Sequence, residues 1–321
     1  MSDDYLWDRT GEGDPDIEQL EYVLGDLRWS GRQADLHSIP SGGRRYGTKF
    51  WAMVAAAAIV LAAGTTFVVQ RMHSLQVTSP WRVSMAGRAP GAVRSGEVIE
   101  TGLTRATLRS EFVGELDIFP NSRLRVLPSP EDQPKLALDV GTIHALIWAP
   151  PARFVVDTPA ARTVDLGCQY TLSVANDGKG FLTVQTGWVA FQWKKIESFI
   201  PEGAACSTRV GYGPGTPYFL DAPAALTKSL VEFDLTGSRQ ALKAVLEAAR
   251  PHDALTVWHL LERTHGEEKA AVLSRFNELV DLPSSVSRDG ILRGEATSMD
   301  AAWNALRLGD TSWWRKWKRY W

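Results

Sequence analysis

Two cysteines in 321 residues, Cys168 and Cys206, are too few for a disulfide scaffold, and neither belongs to a CxxC pair. No histidine stands at zinc-ligand spacing beside them, so neither a metal site nor a cofactor is expected. Catalytic signatures are missing as well: the chain has no GxSxG, no HExxH, and no Walker or dinucleotide-binding loop. The GYGPG run at 211–215 lacks the lysine and flanking strand and helix that a phosphate cradle needs. The carboxylate pairs Glu97/Glu100 and Glu111/Glu115 fall on strand edges or turns, where solvated side chains are the rule. His252, His259 and His265 lie close in sequence, but 259 and 265 point to different helix faces and read as surface and cap residues. The chain is therefore expected not to be an enzyme.

There is no excess of one charge sign overall: 35 Lys and Arg against 37 Asp and Glu give a formal net charge of −2. The charge is unevenly spread. Residues 1–40 carry ten acids against Arg9, Arg28 and Arg32, whereas the last ten residues carry Arg315, Lys316, Lys318 and Arg319 and no acid. Phosphate contacts need Lys and Arg, so the acidic head is not expected to bind nucleic acid directly, though it suits a basic protein.

One stretch lacks charge altogether. Phe50 to Val69 holds twenty residues without a charged side chain. A helix of that length at about 1.5 Å per residue spans roughly 30 Å, the thickness of a bilayer core. The expectation is a transmembrane helix at 50–69, with a buried core helix as the alternative. Arg44, Arg45 and Lys49 before it, against Arg71 after it, place the N-terminus in the cytoplasm. The sequence thus predicts a single-pass protein of a bacterial inner membrane, with its C-terminal part periplasmic.

In residues 1–49, Asp14-Pro15 supplies an N-cap and a first helical position. Ile17, Leu20, Val23, Leu24 and Leu27 form one apolar stripe, which predicts an amphipathic helix over about 14–27. A helix so short is marginal unless it docks on a partner. Residues 70–92 read as a connector. From 93 to 199, short alternating runs such as Tyr170-Thr171-Leu172-Ser173-Val174 recur between Gly, Asn, Asp and Pro punctuation. They predict an all-β domain, solenoid-like or sandwich. Residues 200–222 are rich in Gly and Pro and read as an interdomain linker.

Residues 223–310 read as a helical domain. Ser238 and Asp253 look like caps of helices over 239–250 and 254–264; a third helix is expected over 267–281, and Ser298 looks like the cap of a fourth over 299–308. In the tail, 311–321, Trp313, Trp317 and Trp321 recur every four residues with Trp314 beside the first. Such a helix would suit a bilayer interface, its cations facing anionic lipid, or would pack back onto the helical domain. The fold class expected is therefore a multi-domain, membrane-anchored α+β protein.

The order of motifs in the β region resembles the FecR domain. GEVIETG (96–102) is followed by Ala106-Thr107-Leu108, Pro120-Asn121-Ser122-Arg123-Leu124-Arg125-Val126 and Leu136-x-Leu138-x-Val140-Gly141-x-Ile143. FVVDTPAARTVDLGCQYTLSV (154–174) and then Leu182-x-Val184-x-x-Gly187-Trp188-Val189 continue it, with Cys168 where the family pattern has Thr and Tyr170 in place of Phe. The resemblance covers roughly 90–195. It implies a membrane-anchored regulator of a sigma factor, whose outer part is a solenoid-like stack.

Two functions follow as expectations. One is envelope signalling, in which outer domains bind a partner and the 14–27 helix passes the state to a sigma factor or another regulator. The other is an envelope scaffold binding protein or polysaccharide without transcriptional output. An oxidising compartment would pair Cys168 with Cys206, stapling the linker to the β-domain; two separate buried thiols are the alternative.

Overall fold

The computed structural model describes residues 78–130, 133–284 and 286–309. The chain divides into two compact units, Met1–Val68 and Val69–Trp321. The first lies wholly outside the described residues, as do the predicted 14–27 helix, the predicted span at 50–69 and the Trp-rich tail.

Sixteen strands are described: β1 Thr78–Met85, β2 Arg88–Arg94, β3 Val98–Glu100, β4 Ala106–Ser110, β5 Gly114–Ile118, β6 Arg123–Leu127, β7 Lys135–Ile147, β8 Val155–Asp157, β9 Arg162–Asp165, β10 Gln169–Val174, β11 Gly180–Thr186, β12 Trp188–Trp193, β13 Ile196–Pro201, β14 Ala204–Arg209, β15 Gly213–Pro214 and β16 Tyr218–Phe219. Six α-helices follow: α1 Ala224–Thr236, α2 Arg239–Ala248, α3 Ala254–Arg263, α4 Gly266–Leu279, α5 Arg288–Arg293 and α6 Ala296–Ala305.

The strands join in one open sheet, through which one path runs β13-β12-β9-β8-β7-β10-β11-β14-β15. Among the described pairs, only β7 with β8 is parallel. The long strand β7 belongs to both halves of the sheet. Its first residues pair with β6 and β8, and Gly141 to Ile147 pair with β5 and β10. The turnover point is Gly141, at φ 103, where a Cβ would stand 2.2 Å from the Ser122 hydroxyl oxygen. Only glycine fits that approach. This sharing of β7 replaces the solenoid stack or sandwich expected from the sequence.

Two further expectations are corrected. Among the described residues, no helix is long and apolar enough to cross a membrane. The longest, α4, has 14 residues and carries Glu267, Glu268, Lys269, Arg275 and Glu278, whereas a span needs about 20 mainly apolar ones. The membrane-anchored architecture and the inner-membrane, periplasmic placement are therefore withdrawn in favour of an open, mostly antiparallel sheet with C-terminal helices. The passage 200–222 is not a bare linker either: β14 pairs with β11, and β15 and β16 pair with β14.

Strands and helices share one core. Along β10 the side chains of Tyr170, Leu172 and Val174 are buried while Gln169, Thr171 and Ser173 turn outward, the period-two pattern of a sheet with one covered face. Each fully buried Leu, such as Leu172 or Leu182, contributes about 1.5–3 kcal/mol. The helices are fastened to the sheet end by polar contacts as well as by packing. The Phe199 N–H on β13 donates to Nε2 of the buried His259 on α3 at 3.1 Å, while Nδ1 of the same ring lies 2.9 Å from the Leu255 carbonyl. That pairing assigns the ring proton to Nδ1. Trp258 and Trp303 pack edge to face at 4.7 Å beside it, joining α3 to α6.

Ser238 caps α2 as expected, its hydroxyl accepting from the Ala241 N–H. Asp253 instead accepts from the Arg250 backbone and guanidinium, and Ser298 is buried inside α6, which starts at Ala296.

Candidate functional site: an apolar groove beside the first helix

Helix α1 carries apolar residues on two faces. Leu226, Leu230 and Phe233 are buried in the core, yet Val231 and Leu235, one turn apart, are each 49% exposed. Residues four apart share a helix face, so these two form an outward apolar ridge. Opposite stand Phe181 on β11, 41% exposed, and Ile196, which opens β13. Tyr212, in the β14–β15 turn, completes the wall with the Arg209 guanidinium stacked 3.9 Å from its ring centre. Together they frame a groove of about 950 Å³. Large apolar side chains left in water are ordinary one at a time; gathered round one concavity they mark a binding surface.

The groove is held rigidly. On α3 the Arg263 guanidinium donates to the Pro214 and Gly215 carbonyls and to the Ser198 hydroxyl, at 3.0, 2.9 and 2.7 Å, locking the β15 edge to α3. On α1 both Asp234 oxygens accept from Thr216, one from its N–H and one from its hydroxyl, each at 2.7 Å. Glu197 accepts from the Gln192 amide at 2.7 Å. Glu262 is engaged too. Among the described residues Lys195 and Arg209 have no carboxylate partner, and Asp234 has no cationic one.

The cysteines sit elsewhere and are both free and buried, so the expected bridge is not formed. The Cys168 thiol donates to Asp165, whose other oxygen accepts from the Gly167 N–H at 2.8 Å. The Cys206 thiol lies 3.2 Å from the Gly215 carbonyl. Burial pushes the Cys206 thiol up to about 12, and burial followed by the neighbouring Asp165 charge holds Cys168 well above its usual value. Neither is poised as a thiolate nucleophile. Asp165 is itself pushed up to about 7 by burial, against the lowering effect of its two hydrogen bonds. Among the described residues no three His, Cys, Asp or Glu side chains converge as metal ligands.

None of the groove residues was singled out by sequence as a site. Tyr212 falls in the passage 200–222 that reads as a linker, and Val231 and Leu235 fall in the region 223–310 that reads as helical, before the first helix expected there. The apolar stripe at Ile17, Leu20, Val23, Leu24 and Leu27 and the tail tryptophans Trp313, Trp314, Trp317 and Trp321 lie outside the described residues.

No family model matches the chain, and no curated protein matches it. Two crystal structures of a protein provisionally described as an anti-sigma factor from Parabacteroides distasonis ATCC 8503 are similar, at 13% and 14% identity and a TM-score of 0.34 each. Each match covers 42% of this chain and 64% of that chain, so less than two thirds of the neighbour's length is spanned. A likeness at that level carries no argument about this chain.

Proposed function

We propose that this chain is a non-enzymatic regulator of a sigma factor, and that its sheet-and-helix unit is a protein-binding module whose working surface is the groove beside α1. The single observation behind the proposal is the outward apolar ridge of Val231 and Leu235 facing Phe181, Ile196 and Tyr212 across an open concavity. The choice of a sigma factor as partner rests on the FecR-like order of motifs. Two glycines of those motifs meet in space, which supports reading them as parts of one fold: a Cβ on Gly187 would stand 2.1 Å from the Gly167 carbonyl oxygen.

The test is pairwise. The full chain is mixed with each sigma factor of its host, purified singly, and run on a sizing column. Co-elution with one of them, lost on Leu235→Asp, supports the proposal. If every sigma factor elutes alone, the scaffold reading without transcriptional output takes its place.

A further inference from the structure

We infer that the groove is the seat of the chain's own C-terminal segment, residues 311–321, which competes there with an outside partner. The inference rests on the reading of the groove as a protein-binding surface and names the segment that closes it. Charge does not choose the occupant. Asp234, Glu197 and Glu262 stand among the lining residues against Lys195, Arg209 and Arg263, and Lys179 is paired with Asp177 at 2.6 Å. The choice follows from where the chain leads and from the spacing of its apolar residues.

The described residues end at Gly309, close to the groove. After α6, Arg307 at φ 55 and Gly309 at φ 109 turn the backbone off the helix axis. A Cβ on Gly309 would stand 3.7 Å from the Trp188 ring. Trp188 pairs with Pro201 at one end of β13, and Ile196, on the groove wall, is at the other. Five steps along a strand cover about 17 Å. Residues 310–321 reach about 40 Å beyond Gly309 if extended, and about 25 Å with 313–321 wound as one helix. Either reach spans the distance.

The segment carries the matching pattern. Trp313, Trp317 and Trp321 recur every four residues with Trp314 beside the first. Val231 and Leu235 are also four apart on α1. Two apolar ridges at one-turn spacing interlock in the helix-in-groove mode of recognition, and Ile196 and Tyr212 give the stripe a second wall. Leu146 and Trp148 are exposed as well, but they lie on β7 and just beyond it, where the outer sheet face offers one wall. A tether this short gives a local concentration on the order of 1 mM, so a contact with a Kd of about 0.1 mM is filled about nine-tenths of the time. An outside partner then finds the groove about tenfold harder to enter.

The probe is a fluorescent peptide of residues 311–321, titrated into the full chain and into a full-length variant with its own stripe removed, Trp313→Ser/Trp314→Ser/Trp317→Ser/Trp321→Ser. The peptide is expected to bind the stripe-free chain, and the natural chain about tenfold more weakly. Adding Leu235→Asp to the stripe-free chain should abolish binding, whereas adding Leu146→Asp should leave it unchanged. These positions lie at the surface, and unchanged thermal unfolding of each variant verifies that the fold is intact. No binding to the stripe-free chain, equal binding to both chains, or a loss through Leu146→Asp instead of Leu235→Asp overturns the inference. The two readings fail separately. A sigma factor bound through Leu235 with equal strength by the natural and stripe-free chains removes the inference alone. Peptide binding as expected, with no sigma factor bound by either chain, removes the sigma-factor reading alone.

Discussion

The Cys168 thiol donates its hydrogen to the Asp165 carboxyl, and the pair is closed off from water, with 4% and 1% of their surfaces exposed. No cation is paired with Asp165 among the described residues. A carboxyl so placed keeps its proton far longer than one in water, which is why it is pushed up to about 7.

Stability should therefore fall as pH rises. In the unfolded chain Asp165 loses its proton near pH 4; in the folded chain it holds it to about 7. Between those values the folded state binds more protons than the unfolded state, so the contribution is fully present below about pH 4 and is lost by pH 7. The loss is on the order of 2–4 kcal/mol. Urea unfolding at pH 5 and pH 8 should show it, and Asp165→Asn should flatten the difference. An unchanged slope in the variant would count against a buried, protonated carboxyl.

The cysteines give a simpler measurement. Thiol titration of the denatured, unreduced chain should find two free thiols, and one bridge per molecule would contradict the structure. In the native chain both should react slowly, because each thiol is buried and held above its usual pKa.

Gly187 is expected to tolerate no side chain. Its φ of 75 is strained for any L-residue, and a Cβ would collide with the Gly167 carbonyl oxygen. Gly187→Ala should cost about 2–4 kcal/mol. Gly211 has a similar φ of 82 with nothing within 4 Å, so Gly211→Ala should cost only about 1 kcal/mol. Equal losses at the two sites, read by urea unfolding, would show that the close approach is not real.

His259 is the polar tie between sheet and helices. His259→Leu removes the acceptor of the buried Phe199 N–H, and an unpaired buried donor costs about 1–3 kcal/mol. His252 is exposed and stacks on Phe219, and His252→Leu should change stability by less than about 1 kcal/mol. Thermal unfolding of the two variants side by side separates the roles.

Much of the β architecture was legible because burial on one face writes a period of two into the chain, as at Gln169–Val174. The helix capped by Ser238 was legible for an equally local reason. The strands between 204 and 219 were hidden: Ala204 and Ala205 are small, β15 and β16 have two residues each, and Gly and Pro punctuation reads as linker when the pairing partner is far along the chain. His259 looked like a surface residue because its role depends on β13, sixty positions earlier. The groove was illegible for the same kind of reason. Nothing local distinguishes Val231 from Leu230; only the packing of α1 on the sheet shows which of them the core covers. The bridge between the cysteines came from an assumed compartment, not from geometry.

The most direct test of the account is a calorimetric titration of the full chain with the sigma factor that co-elutes with it, set beside the same titration of Val231→Asp/Leu235→Asp. The account predicts saturable binding by the natural chain and a loss of at least about a hundredfold in the double variant, since two desolvated apolar contacts at the centre of the interface are replaced by charges. Binding of undiminished strength by a double variant that unfolds at the natural temperature would contradict it.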